Sequence, residues 1–398
     1  MPATADPLRL PALPLAITGL GCIAAPGAGI EAQRQALERG ASGLAALSDG
    51  TLPLAERLPV GRVRTPLPPL PGRTMALALA AAREALAHAN LPPSARGEMA
   101  VIVGSCTGGM PESEHAFLSH GPAAIEPCYR RQHPHRVTQA VARLLGLGGI
   151  QSTHALACAS AAAAIIEAVE LVRSGSCPVA LAIGCDALTR VTMAGFTSLQ
   201  LIDPQGCRPL VAERAGMSLG EAAAALIIES PEHARRRGAG VVASLLGWGL
   251  SADAYHLTSP DPAGTHLRRA ITDCLADAGV STRDIGYVNA HGTGTRDNDQ
   301  CESAVLASLF GAVPTASSKR TFGHTMGAAA AVEAMACCLA LRDGRLWASA
   351  GAAGGQPLAG IEVLTASRSA HPGVVCSTTL AFGGVNACLA FAGGERCA

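Results

Sequence analysis

Two stretches of this chain share an unusual pattern that few folds can accommodate. Ala157-Cys158-Ala159-Ser160-Ala161 opens a helix of small residues running to Arg173, and Met326 to Leu341 forms a second such helix behind Gly323-His324. Each follows strand-like sequence and a sharp turn. Long side chains are what keep helices apart, so helices of alanine and glycine pack closely against their neighbours. Both are therefore expected to lie buried between sheets. Aromatic residues make up only 3% of the 398 residues, so Ala, Leu, Val and Gly must fill the core.

The remaining periodicity is that of an α/β protein, with apolar runs alternating with helix-length segments. Leu15–Leu20, Met99–Val103, Pro178–Ile183 and Ala222–Ile228 read as strands, with Gln151–Ala157 leading into the first Ala-rich helix. A second series begins at Val241–Leu246. It continues through a helix over Leu267–Ala278 that stops at Gly279, a strand over Ile285–Ala290, and strands over Val374–Thr379 and Ala387–Phe391. The expectation is two similar halves, residues 1–240 and 241–398. Residues 53–72 are Pro-rich and read as an irregular surface excursion.

Charge and cysteine content exclude several classes. Thirty basic residues balance thirty acidic ones, which argues against a nucleic-acid binder. The 14 cysteines include no CxxC pair and no Cys/His cluster at zinc spacing, so neither a metal nor a redox cofactor is expected. Asp6 and four prolines by Pro14 do not form a signal peptide, and no apolar run reaches membrane-spanning length. A cytoplasmic protein with reduced thiols is expected. Of the thirty basic residues, Lys319 is the sole lysine.

Several segments offer chemistry. Gly19-Leu-Gly21-Cys-Ile-Ala24 fits a GxGxxA fingerprint, but Pro26 opposes the helix that dinucleotide binding needs, so a turn between strand and loop is the better reading. Cys158 falls where a strand ends and a helix begins, where free N–H groups and the helix dipole favour a thiolate. A free cysteine is most often a buried structural residue. Asn289-Ala-His291-Gly-Thr-Gly-Thr295 puts a histidine in a loop whose glycines permit close approach of a ligand. Ser317-Ser318-Lys319 and Gly323-His324 form a second such loop. Two Gly-flanked histidines, one lysine and a helix-capping cysteine together point to an active site.

On these motifs the chain resembles the β-ketoacyl-acyl-carrier-protein synthases, elongating condensing enzymes of the thiolase superfamily. The likeness runs from Ala16-Ile-Thr-Gly-Leu-Gly21 to Phe382-Gly-Gly-Val-Asn386 and includes Ser251-Ala-Asp-Ala-Tyr-His256. It implies a thiolase-like, five-layered αβαβα fold, a homodimer or a heterodimer with a related subunit, and acyl carrier protein as partner. In such enzymes the cysteine matching Cys158 takes an acyl group as a thioester. Histidines matching His291 and His324 support decarboxylation of malonyl-carrier protein and hold the enolate oxygen. Backbone N–H groups matching Cys158 and Phe382 form the oxyanion hole. Lys319 matches the family's lysine, Glu333 its acidic partner, and Thr293 and Thr295 are supporting hydroxyls.

The chain departs from the family pattern in places. Leu380 stands where a phenylalanine gates the acyl tunnel, Ala381 replaces a glycine, and Thr107 stands where a bulky aliphatic residue limits the acyl pocket. Val211 and Ala215 replace two acids of a conserved-type motif, and Ala123-Ala124 replace a basic pair. Arg62, Arg64 and Arg73 remain as candidates for contacting the carrier protein, with Arg130, Arg131 and Arg136 also in reach of that role. These changes suggest a specialised fatty acid, polyketide or polyene pathway. Two other readings stand beside this one: a subunit shaping the tunnel of a heterodimeric partner, and a coenzyme A-dependent starter synthase.

Overall fold

The structure is a computed structural model that describes residues 13–122 and 125–397; the N-terminal residues read against a signal peptide, and Ala123-Ala124, lie outside the described residues. Ten strands carry the architecture. In chain order they are β1 (Leu15–Ala24), β2 (Ala100–Gly104), β3 (Gln151–His154), β4 (Val179–Asp186) and β5 (Ala222–Glu229), then β6 (Ala243–Ala252), β7 (Ile285–Asn289), β8 (Pro314–Ala316), β9 (Val374–Leu380) and β10 (Val385–Gly393). The first five lie in the order β3-β2-β4-β5-β1 and the second five in the order β8-β7-β9-β10-β6. In each set the first three are parallel and the last two antiparallel. The two halves are therefore the same unit twice. They meet where β1 pairs antiparallel with β6 over Leu15–Leu245, Ala16–Ser244 and Ile17–Ala243.

Six helices position the site: α1 (Arg73–His88), α2 (Ser160–Arg173), α3 (Arg190–Ser198), α4 (Thr265–Ala278), α5 (Arg296–Phe310) and α6 (Ala329–Asp343). The Ala-rich pair, α2 and α6, pack on each other and on both sheets. Every residue of α6 from Ala329 to Ala340 is buried. Close approach is what the small residues allow. A Cβ at Gly184 of β4 would lie 2.6 Å from that of Ala161 and 2.8 Å from that of Ala331. Outside the sheets, α1 covers β1 and β5, and α4 covers β6 and β10. The layers are thus helix, sheet, paired helices, sheet, helix, the thiolase-like order expected.

The GxGxxA segment differs from expectation. Gly19 to Ala24 is not a turn but the second half of β1, which is buried throughout. Its glycines make room for α1: a Cβ at Gly21 would stand 2.0 Å from the carbonyl oxygen of Ala81. Also unforeseen is α5, whose polar start, Arg296-Asp-Asn-Asp-Gln300, hides a buried face. Among the described residues no helix is long and apolar enough to cross a membrane.

Candidate active site

Two strained turns deliver the reactive groups. Ala157, immediately before Cys158, has φ +48°, and Met326, two residues after His324, has φ +51°. Such left-handed geometry costs a non-glycine residue roughly 1–2 kcal/mol. Each turn is followed by one tight helical turn and then by α2 or α6. The duplicated halves thus present their turns to each other, and Cys158 Sγ lies 3.1 Å from His324 Nε2.

The other nitrogens decide the proton positions. Met326 N–H donates to His324 Nδ1 at 3.1 Å. The Lys319 ammonium, which can only donate, lies 3.1 Å from His291 Nδ1. An Nδ1 that accepts a hydrogen bond leaves the proton of a neutral imidazole on Nε2. Burial first, and the Lys319 charge second, hold both histidines well below the ordinary imidazole pKa, so both are neutral. The result is two neutral Nε2–H donors, with the rings 5.4 Å apart and edge to face at 87°. His291 Nε2 has no hydrogen-bond partner among the described residues. Lys319 is itself held by Glu333 Oε1 at 2.5 Å and by the His291 carbonyl. Burial pushes the Glu333 carboxyl upward against the pull of that ammonium.

Burial also pushes the Cys158 thiol up, to about 11, while Lys319 and the Phe382 backbone N–H oppose the rise. Phe382 lines the same cavity as the sulfur. Its ring rests on that of Phe196 in α3 at 5.4 Å. A cavity of about 480 Å³ opens onto Cys158, His291 and His324 and is lined also by Thr293, Thr295, Leu380 and Phe382. Thr293 and Thr295 share a 2.8 Å hydrogen bond between hydroxyls.

Ligand atoms of Cys158, His291 and His324 lie within 4.8 Å of one another, a spacing that suits a metal ion. The tautomers oppose one, because a protonated Nε2 has no lone pair to give.

The outer candidates fall elsewhere. Thr107 does not line this cavity; its N–H and hydroxyl both donate to Asp186, each at 2.8 Å. Arg73 and Arg62 turn inward onto the fully buried Glu221, at 2.5 and 3.3 Å. Read as surface arginines in the sequence, these two serve an interior carboxylate, whereas Arg64 is exposed. Sequence reasoning passed over Glu302, which accepts the N–H groups of His291 at 2.7 Å and Gly292 at 2.8 Å and the Thr378 hydroxyl at 2.6 Å. Its signal was an acid eleven residues past His291, on the helix that leaves the histidine loop.

Known proteins share this sequence pattern and fold. The N-terminal domain of the beta-ketoacyl synthases matches residues 72–234 and their C-terminal domain residues 242–352. Nodulation protein E of Rhizobium meliloti is 36% identical over 330 residues, 80% of this chain and 82% of its own. The 3-oxoacyl-[acyl-carrier-protein] synthase 2 of Staphylococcus aureus is 32% identical over 331 residues, 79% of this chain and 82% of its own. The solved ishigamide ketosynthase/chain length factor superposes with a TM-score of 0.86 at 31% identity, covering 96% of this chain and 99% of that one. With both domains matched in order and the duplicated fold shared, the chain belongs to the beta-ketoacyl synthase family of acyltransferases.

Proposed function

We propose that the protein condenses an acyl thioester, carried on Cys158, with malonyl-acyl carrier protein to give a 3-oxoacyl-acyl carrier protein. The observation that carries this reading is the pair of neutral Nε2–H donors facing one cavity with the thiol. Decarboxylation of a malonyl thioester leaves negative charge on the thioester oxygen, and fixed N–H donors in a water-poor site stabilise that charge. A histidine kept neutral gives no proton to the enolate that must react.

In the first step the Cys158 thiolate attacks the acyl carbonyl. The C–S bond to Cys158 forms, the carrier's C–S bond breaks, and the proton from Cys158 ends on the departing carrier thiol. The N–H groups of Cys158 and Phe382 hold the tetrahedral oxyanion. In the second step malonyl-carrier protein loses CO₂. The electron pair of the broken C–C bond forms the enolate, whose oxygen His291 and His324 hold. The enolate carbon attacks the acyl-Cys158 carbonyl, and the sulfur leaves as a thiolate that takes a proton from solvent. Lys319 fixes the His291 tautomer and favours the thiolate, and Glu333 holds Lys319.

The likeness to a ketosynthase/chain length factor favours pairing with a second, related chain, and Leu380, which lines the cavity, favours an unusual acyl chain from a specialised pathway. Retention of Cys158 makes this chain the catalytic member of such a pair. Acyl-carrier proteins loaded with graded chains, read by intact mass, test the reading. An adduct on Cys158 and a 3-oxoacyl product are expected, both absent from Cys158→Ala. Condensation by Cys158→Ala at the wild-type rate would overturn it.

A further inference from the structure

Asp186, the last residue of β4, is fully buried and no cation meets it among the described residues, yet it accepts an unusual number of hydrogen bonds. Ser105 Oγ donates to it at 2.8 Å, Cys106 N at 3.0 Å, Thr107 N and Oγ1 at 2.8 Å each, and Gly327 N at 2.7 Å. Every one of these neighbours donates, which suits an ionised carboxylate. Burying an unpaired charge costs several kcal/mol unless it is hydrogen-bonded in this way, roughly as for an ion taken out of water.

The donors belong to two branches that reach the two strained turns. On one side, Cys106 Sγ donates to the carbonyl of Ala157 at 3.0 Å, next to Cys158. On the other, Gly327 follows Met326, whose N–H holds His324 Nδ1. A Cβ at position 327 would lie 2.6 Å from Asp186 Oδ2, so only glycine lets the second turn come this close. One carboxylate therefore joins the turn that bears the nucleophile to the turn that bears its histidine, and these turns come from opposite halves of the duplication.

We propose that Asp186 is a positioning residue that sets the separation between Cys158 and His324, with Thr107 as its anchor and not as a wall of the acyl pocket. This rests on the condensation chemistry proposed above. Without the carboxylate each turn relaxes from its left-handed residue independently, and the 3.1 Å contact between sulfur and Nε2–H lengthens. An amide in its place turns at least one N–H toward the ring of donors, which loosens both branches together.

The test uses full-length Asp186→Asn and Thr107→Val, which removes one hydroxyl donor at constant shape. Alkylation of Cys158 by iodoacetamide, followed by intact mass from pH 6 to 11, reads the sulfur's hydrogen bonding without any carrier protein. Condensation kinetics read the reaction. For Asp186→Asn, kcat is expected to fall about 30- to 100-fold with KM for malonyl-carrier protein within threefold. The alkylation profile is expected to shift to higher pH. Thr107→Val shows the same split with a smaller loss, and decides the matter if Asp186→Asn does not fold. Folded variants with wild-type kcat and an unshifted profile would overturn the assignment. A shifted profile in a protein that never condenses acyl chains would instead leave the positioning role standing and sink the reaction proposed.

Discussion

Replacing Lys319 by arginine separates charge from geometry at the centre of the site. The lysine nitrogen is a single point at which Glu333 Oε1, His291 Nδ1 and the His291 carbonyl converge, in a side chain 2% exposed. Arginine keeps the positive charge, so Glu333 keeps a counter-ion and the large penalty of an unpaired buried acid is avoided. Its planar fork is bulkier and directs its N–H groups along fixed lines. Overpacking a buried site costs about 1–3 kcal/mol, so the variant folds. The fork satisfies Glu333 but cannot also meet His291 Nδ1 from the same atom. Freed of that donor, His291 can move its proton to Nδ1 and withdraw the Nε2–H from the enolate. Losing one such donor costs about 10²- to 10³-fold in rate, or roughly 2.7–4 kcal/mol. The assay is release of CO₂ from malonyl-carrier protein without acyl primer, read as acetyl-carrier protein by intact mass. Decarboxylation is expected to fall by that factor while Cys158 acylation falls less than tenfold. Decarboxylation by Lys319→Arg within threefold of wild type would show that the charge alone suffices and that the tautomer argument is wrong.

Three further outcomes follow, two from buried contacts and one from an exposed arginine. His324 has a folded pKa held well below its ordinary value of 6.5, so the unfolded chain gains a proton there that the folded chain does not. That contribution to stability is complete above pH 6.5 and is lost as pH falls below it, by about 1.4 kcal/mol per pH unit. In urea unfolding, His324→Gln is expected to flatten the fall between pH 6.5 and 5; an unchanged slope would mean that His324 is charged when folded. Arg73→Met should lower stability by about 2 kcal/mol, the worth of hydrogen bonds to a charged group, because Glu221 then keeps Arg62 as its one cation among the described residues, beside the N–H groups of Val63 and Leu188. Arg64→Ala should leave the melting temperature alone and weaken carrier-protein affinity, and the reverse pattern would restore Arg73 to the surface role.

The candidate site was legible because reactive side chains need small neighbours, and Gly and Ala around Cys158, His291 and His324 stand out in a linear string. The duplication was legible for the same reason, through two Ala-rich helices. What escaped were residues defined by partners distant in the chain. Arg73 and Glu221 are 148 positions apart, and nothing local marks either as interior. Glu302 hides in a helix whose polar first turn reads as loop. Gly19 and Gly21 imitate a nucleotide fingerprint because close approach of a helix and close approach of a phosphate make the same demand on a backbone.

The junction of β1 with β6 has a consequence for how the protein is made. A chain that has emerged only as far as β5 already holds Cys158 and its helix. It lacks β6, α6, Lys319, both histidines and Phe382, the residues that complete the cavity around the sulfur. The cavity that holds Cys158 beside His324 is therefore complete only when the second half docks and closes the middle layer. A half-finished chain carries the cysteine and its helix with neither of the two Nε2–H donors that face it in the whole protein.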